Sequence, residues 1–162
     1  MSCNRRKPHI LVLPEDDATR QIATGFELDQ SINRRAIQVL TPVGGWKKVL
    51  NEFKDVHVPE MRQYPDRMIV LLIDFDGVYE NRMSYVQSEI DQTGFADRVF
   101  VLGTLSEPED LRKAMQLNFE KIGQSLAKDC LDNTRSAWGH DQLKHNITEL
   151  NRMVTHVKPF LF

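Results

Sequence analysis

The sequence predicts an α/β fold: an open, mainly parallel four-stranded sheet flanked by helices, with a helical C-terminal extension. Three observations carry this reading. Short apolar runs recur at residues 9–13, 35–40, 68–73 and 98–102. Between them, apolar residues return every three or four positions, the spacing of a helix with one buried face. The third run, Met68-Ile69-Val70-Leu71-Leu72-Ile73, contains no polar residue at all. So short an unbroken run fits a strand covered on both faces, the condition of a parallel sheet between layers of helices. Strands and helices alternating in this way connect by right-handed crossovers.

The first run stops at Pro14-Glu15-Asp16-Asp17, and a helix is expected over 18–30 with Ile22 and Phe26 inward, joined by Ala18 and Leu28. The second strand, 35–40, stops at Thr41-Pro42-Val43-Gly44-Gly45. Trp46, Val49, Leu50 and Phe53 then fall at helical spacing and predict a short helix over 46–53. A loop holding Pro59, Pro65 and Asp66 leads into the third strand, 68–73. Tyr79 opens a third helix that reaches Gln92, and Gly94 precedes the fourth strand, 98–102.

From Glu107 onward the pattern is helical. Leu111, Ala114, Met115, Phe119, Ile122 and Leu126 make one amphipathic face, and Leu143, Ile147, Leu150 and Val154 make another after a break over 132–139. Ser106-Glu107-Pro108-Glu109 reads as a capping box, with Ser106 at N-cap and Glu109 at N3. The tail Lys158-Pro159-Phe160-Leu161-Phe162 is apolar and needs a cover, which a second copy or a partner protein would supply. No repeat, low-complexity tract or linker divides the chain. It reads as one domain over 1–162, with a core of about 9–104 and a helical extension of about 107–156.

Composition narrows the function classes. A formal charge of −2 gives no bulk attraction to nucleic acid, so any such binding needs a local basic patch. Cys3 and Cys130 are too few for a disulfide framework or a cysteine-rich zinc site, which suits a reducing compartment. No apolar run approaches the roughly 20 residues that span a bilayer, and the amino terminus lacks a signal-peptide core. A cytoplasmic protein is the expectation.

The chemistry concentrates where the strands stop. The third run ends in Asp74-Phe75-Asp76-Gly77, and strand alternation points Asp74 and Asp76 the same way, with Phe75 opposite. Two carboxylates so placed repel each other unless a cation or a proton sits between them. In open α/β sheets ligands bind outside the carboxyl ends of the strands. Glu15-Asp16-Asp17 and Gly44-Gly45 end the first two strands on the same rim. Oxygen ligands there suit Mg²⁺ or Mn²⁺ better than zinc. Asp16 or Asp17 also suits the cap of the following helix, and Gly44-Gly45 alone is as well read as a plain turn.

Basic residues stand near this rim in sequence. Lys47 and Lys48 follow the glycine pair, Arg82 follows the acidic turn and Arg20 the first, as candidate phosphate contacts or as solvated helix faces. The histidines make no metal set. His140 and His145 are five apart, unlike an i, i+4 zinc pair, and His9, His57 and His156 read as surface or capping residues.

Leu11-Val12-Leu13-Pro14-Glu15, then Val39-Leu40-Thr41-Pro42-Val43-Gly44-Gly45-Trp46, then Ile73-Asp74-Phe75-Asp76-Gly77 together resemble the motif order of the TOPRIM domain. That domain is shared by topoisomerases, bacterial primases, recombination-mediator proteins and overcoming-lysogenization-defect (OLD-like) nucleases. The resemblance covers residues 9–102 and is nearest to a small stand-alone OLD-like form. It implies divalent-metal-dependent phosphodiester chemistry on nucleic acid. Glu15 would be general acid/base or metal ligand, and Asp74 and Asp76 would hold Mg²⁺. In the OLD-like branch a further acid follows the fourth strand, where Glu107 and Glu109 are the nearest matches. The family usually has glycine directly after the glutamate; Asp16 stands there instead and would join the metal shell.

Two other classes fit parts of the pattern. A receiver-like phosphoacceptor domain would use Asp74 as acceptor, Thr104 as switch hydroxyl and Lys158 as the conserved lysine. The 54 positions from Thr104 to Lys158 are too many for the single helix and strand a receiver places there. A non-catalytic metal- or partner-binding module would use the acids only to fix geometry.

Overall fold

All four apolar runs become strands, and every pairing is parallel. In the computed structural model, which describes residues 3–162, β1 (His9–Pro14), β2 (Ile37–Val39), β3 (Arg67–Asp74) and β4 (Val99–Thr104) lie in the order β2-β1-β3-β4. Ile10 sits opposite Ile37 on one side and Met68 on the other, and Val70 sits opposite Phe100. Alternation divides the strand residues between two cores. Ile10, Val12, Val70, Phe100 and Leu102 face one, while Leu11, Leu13, Ile69, Leu71, Ile73 and Val101 face the other.

The second core is covered by α2 (Trp46–Glu52), α3 (Val58–Gln63) and α4 (Tyr79–Thr93). A π-helical turn, Phe53–His57, joins α2 to α3, so the segment expected as a Pro59 loop is helical. Pro59 sits where this wider π-helical turn passes into α3, and the local change of helix type accommodates a residue with no N–H. Phe53, Val58 and Met61 bury themselves along this path.

On the other face lies α1 (Asp17–Glu27), with α5 (Pro108–Met115), α6 (Phe119–Asp132), α7 (Ile147–His156) and α8 (Lys158–Leu161). The single face expected over 111–126 belongs to two helices. Gln116 ends α5 with φ 55°, and Asn118 caps α6 by accepting the Lys121 N–H at 2.8 Å. The expected Ser106 capping box is also replaced. Glu107 takes the N-cap position, while the Ser106 hydroxyl bonds Asp110 at 2.7 Å and Gln142 at 2.9 Å. The second expected face is only partly buried, since Leu143 lies in the turn before α7 and Val154 is 51 % exposed.

Glycine sets how α1 and α6 meet. A Cβ on Gly25 would stand 2.0 Å from the Glu120 carbonyl oxygen, and one on Gly123 would stand 2.0 Å from that of Ile22. The two backbones touch because neither residue carries a side chain.

The free edge of β4 is closed by side chains. The Val101 N–H donates to Glu149 Oε2 at 2.8 Å, and Asn146 both accepts from the Gly103 N–H at 3.1 Å and donates to its carbonyl at 3.0 Å. Arg152 donates to Val99 O at 3.2 Å and to Ala96 O at 2.7 Å, and holds the Glu149 carboxylate at 2.9 Å. These groups stand where a fifth strand would pair, so the edge offers no ladder to a neighbour.

The apolar tail finds part of its cover within the chain. Leu161 is buried, its carbonyl accepts the Asn33 N–H at 2.7 Å, and Phe162 meets Phe26 edge to face at 6.4 Å. Two histidines expected at the surface are buried instead. His9 accepts from Arg67 Nε at 3.0 Å at the amino ends of β1 and β3, and His57 is packed in the π-helical turn. Among the described residues no helix is long and apolar enough to cross a membrane.

Candidate functional site

From β1 the chain crosses to β2 on one side of the sheet, and from β3 it crosses to β4 on the other. The carboxyl ends of β1 and β3 therefore flank the crevice where such sheets bind their ligands. Glu15 leaves β1 there and Asp74 ends β3. The Glu15 N–H donates to Leu72 O at 2.9 Å, and its Oε2 accepts the Asp74 backbone N–H at 2.6 Å. One carboxylate thus ties the two strand ends together.

The glycine pair wraps this glutamate from the third side. Gly44 and Gly45 have φ of 89° and 147°, and their N–H groups donate to the Glu15 carbonyl at 2.9 and 3.3 Å. Those amides hold the protein's own backbone, so the pair is a turn and not a phosphate cradle.

Asp74 is 8 % exposed, and its Oδ1 is buried without a hydrogen-bond partner. Burial, reinforced by the charges of Glu15, Asp16, Asp76 and Glu109, pushes its carboxyl up to about 8. Burial also raises Glu15; the Asp74 N–H opposes the shift, and Asp16 and Asp76 add to it. The negative charge of several acids is focused on one desolvated group.

Asp76 does not share the direction that strand alternation assigns it. Its backbone is left-handed at φ 47°, so the strand geometry stops at Asp74. Phe75 enters the core, while the Asp76 and Gly77 N–H groups donate to Ser106 O and Leu105 O. The Asp76 carboxylate is half exposed and meets Arg82 Nη1 at 2.6 Å. Arg82 also donates to Asp74 O at 2.8 Å and stacks over the Trp46 ring at 4.5 Å.

Asp16 is the N-cap of α1. Its Oδ1 accepts the Thr19 N–H at 2.9 Å and the Thr19 hydroxyl at 3.0 Å, within a capping box. Its charge still bears on Glu15 and Asp74. Asp17 is exposed and paired with Arg20 at 2.6 Å. Of the acids after β4, Glu109 acts on Asp74, and Glu107 is the N-cap of α5.

Of the basic candidates, Arg82 lies against the acids. Lys47 stands over the same Trp46 ring at 5.5 Å, and Lys48 is exposed. Trp46 as a platform for two cations had no signal in the sequence beyond its helical spacing. Gln142 belongs to the polar stretch over 138–146, whose composition allows it to close over the rim; its Oε1 and carbonyl accept the Ser106 and Leu105 N–H groups, bracing the turn beside Asp76.

Among the described residues no three His, Cys, Asp or Glu side chains group into a set able to hold a metal ion. The expected four-acid shell is therefore divided, with Asp16 capping a helix and Asp76 held by Arg82. Glu15 and Asp74 remain, with one buried oxygen unpaired. Two carboxylates would leave most of the coordination sphere of an Mg²⁺ ion to water.

The receiver geometry meets this site in part. Thr104 pairs with Asp74 in the sheet register, but Lys158 Nζ donates to Leu131 O at 3.2 Å and Asn133 Oδ1 at 2.7 Å at the end of α6. Compared with known protein families, curated proteins and solved structures, the chain matches none.

Proposed function

We propose that the chain is a TOPRIM-like, nuclease-like protein in which Glu15 and Asp74 hold Mg²⁺ or Mn²⁺ for phosphodiester chemistry on nucleic acid. The observation that supports this best is the buried, unpartnered Asp74 oxygen beside Glu15 at the switch point of a parallel sheet. A desolvated carboxyl surrounded by other acids is costly to a fold and is a mark of functional sites. A divalent ion held there would stabilise negative charge developing on a phosphodiester oxygen.

The chain's own groups have separate tasks in this reading. Glu15, raised by burial, is suited either to ligate the ion or to carry a proton to or from the reacting oxygen. Arg82 fixes the Asp76 turn through two bonds from one nitrogen and leaves its other donors for phosphate. Lys47, poised on Trp46, adds a second cation on the same side.

The test is cleavage of single- and double-stranded DNA and RNA with Mg²⁺ or Mn²⁺, beside calorimetric titration of each metal. Metal-dependent cutting lost in Glu15→Ala and Asp74→Ala is the expected result. Folded protein that neither binds these ions nor cuts any of the four substrates overturns the reading. The pairing of Arg82 with Asp76 favours one second reading, a metal-binding module without turnover. It predicts metal binding and thermal stabilisation with no product.

A further inference from the structure

The face of the sheet opposite α2, α3 and α4 is incompletely filled. Gly25 and Gly123 draw α6 onto α1, α7 reaches out to close the β4 edge, and the packing between them over the sheet leaves a gap. A cavity of about 190 Å³ results. Its floor is made by strand residues of all four strands, among them Ile10, Ile37, Val70 and Leu102. Phe26 of α1, Trp138 and Leu126 form walls, and Val157, Leu161 and Phe162 form the roof. An apolar cavity near 150 Å³ stays dry and takes up benzene or xenon, so this one is large enough for an organic guest.

Polar groups on the wall are few and unequal. The Asp129 carboxylate is engaged from within, accepting from Thr134 Oγ1 at 2.7 Å and from the Ala137 and Trp138 N–H groups at 2.7 and 3.0 Å. The Trp138 indole donates to Leu126 O at 3.1 Å. The atoms that are buried without partners all belong to residues away from this wall. Nothing inside calls for water. Two cations stand on the same wall near the surface. Lys158 uses two of its three donors, on Leu131 O and Asn133 Oδ1, and Arg135 has a single 3.4 Å contact to Asn151.

We infer that this cavity is a binding site for a free, medium-chain aliphatic carboxylate, its chain on the sheet and its head group at Lys158 and Arg135. The apolar floor and walls would desolvate the chain, and each methylene buried up to the limit of the cavity adds about fourfold in affinity. The cations select an anionic head at a partly exposed position, which is worth about three- to fivefold. The site lies on the sheet face opposite α2 and stands independently of the chemistry proposed for Glu15 and Asp74.

The experiment titrates the full chain with hexanoate, octanoate and octanol by calorimetry and thermal shift. Saturable one-to-one binding is expected, tightening from hexanoate to octanoate, with octanol about three- to fivefold weaker. Ala23→Leu fills the cavity from α1 and should abolish binding. If that variant misfolds, Val154→Trp closes the mouth from a position that is already 51 % exposed. Lys158→Ala with Arg135→Ala should bring octanoate down to the level of octanol. Absence of saturable octanoate binding overturns the proposal, as does binding that both blocking variants leave unchanged. Equal affinity for octanol overturns the anionic head group. A dimer in sedimentation velocity that octanoate does not displace would assign the cavity mouth to a second copy instead.

Discussion

Replacing Asp74 by asparagine should stabilise the metal-free protein, and more so as pH rises. The carboxyl titrates at about 8 in the fold against 3.8 in the reference state. Between those values the folded chain keeps a proton that the unfolded chain has released. The folded state then binds more protons, so wild-type stability falls as pH rises through this window and levels off above about pH 8. An interval of about four units corresponds to roughly 5–6 kcal/mol at 1.36 kcal/mol per unit. Local rearrangement and water entry raise the effective dielectric, so about 2–3 kcal/mol is the expected observable gain for Asp74→Asn at pH 8. In a chain of 162 residues that is a rise in Tm of about 4–12 °C. Urea denaturation of both proteins in chelator, at pH 5, 6.5 and 8, reads the difference directly. Excess Mg²⁺ should close the gap: at 100 times Kd it adds about 2.7 kcal/mol to the wild type and little to the variant. A variant no more stable than wild type at pH 8, or a difference independent of pH, would refute the reasoning that a desolvated carboxyl is held there at the fold's expense.

Three further outcomes test the structure elsewhere. Gly123→Ala should cost about 2–4 kcal/mol in urea unfolding, because its Cβ meets the Ile22 carbonyl at 2.0 Å and the two helices must separate. Asp16→Ala should lose about 1 kcal/mol with the cap of α1, whereas Asp16→Asn keeps the cap; if Asp16→Asn also keeps full metal affinity by calorimetry, Asp16 is a cap and no ligand. Glu149→Ala strips the Val101 N–H of its acceptor and should cost about 1–3 kcal/mol. Amide exchange at Val101 should then accelerate, with Glu149→Gln keeping most of the protection.

Much of this architecture was legible because burial on both faces of a sheet leaves a plain mark. Met68 to Ile73 has no polar residue, and these residues lie in β3, which runs through Asp74. Pro59 misled, because the π-helical turn before it lets a continuous helical stretch carry a proline without a break. Gln116, a non-glycine residue in left-handed backbone, cut one apparent amphipathic face into α5 and α6 with no compositional cue. At the site, Glu15 and Asp74 were legible from strand ends alone. The role of Asp76 was not, because its direction depends on a backbone angle that alternation cannot anticipate. Gly25 and Gly123 carry no mark in the sequence of the contact they make, and the cavity beside it is a property of what the chain fails to fill.

The edge of β4 also bears on the order in which the chain assembles. Glu149 comes 48 positions after the Val101 amide it receives, and Asn146 comes 43 after Gly103. During synthesis the parallel sheet can therefore close while its outer strand still shows bare amides and carbonyls. Through that interval a nascent chain resembles a sticky half-sheet, open to pairing with another strand at its outer rim. Residues 142–152 act as a late-arriving lock on an otherwise finished sheet, and folding yield should depend on how promptly they dock.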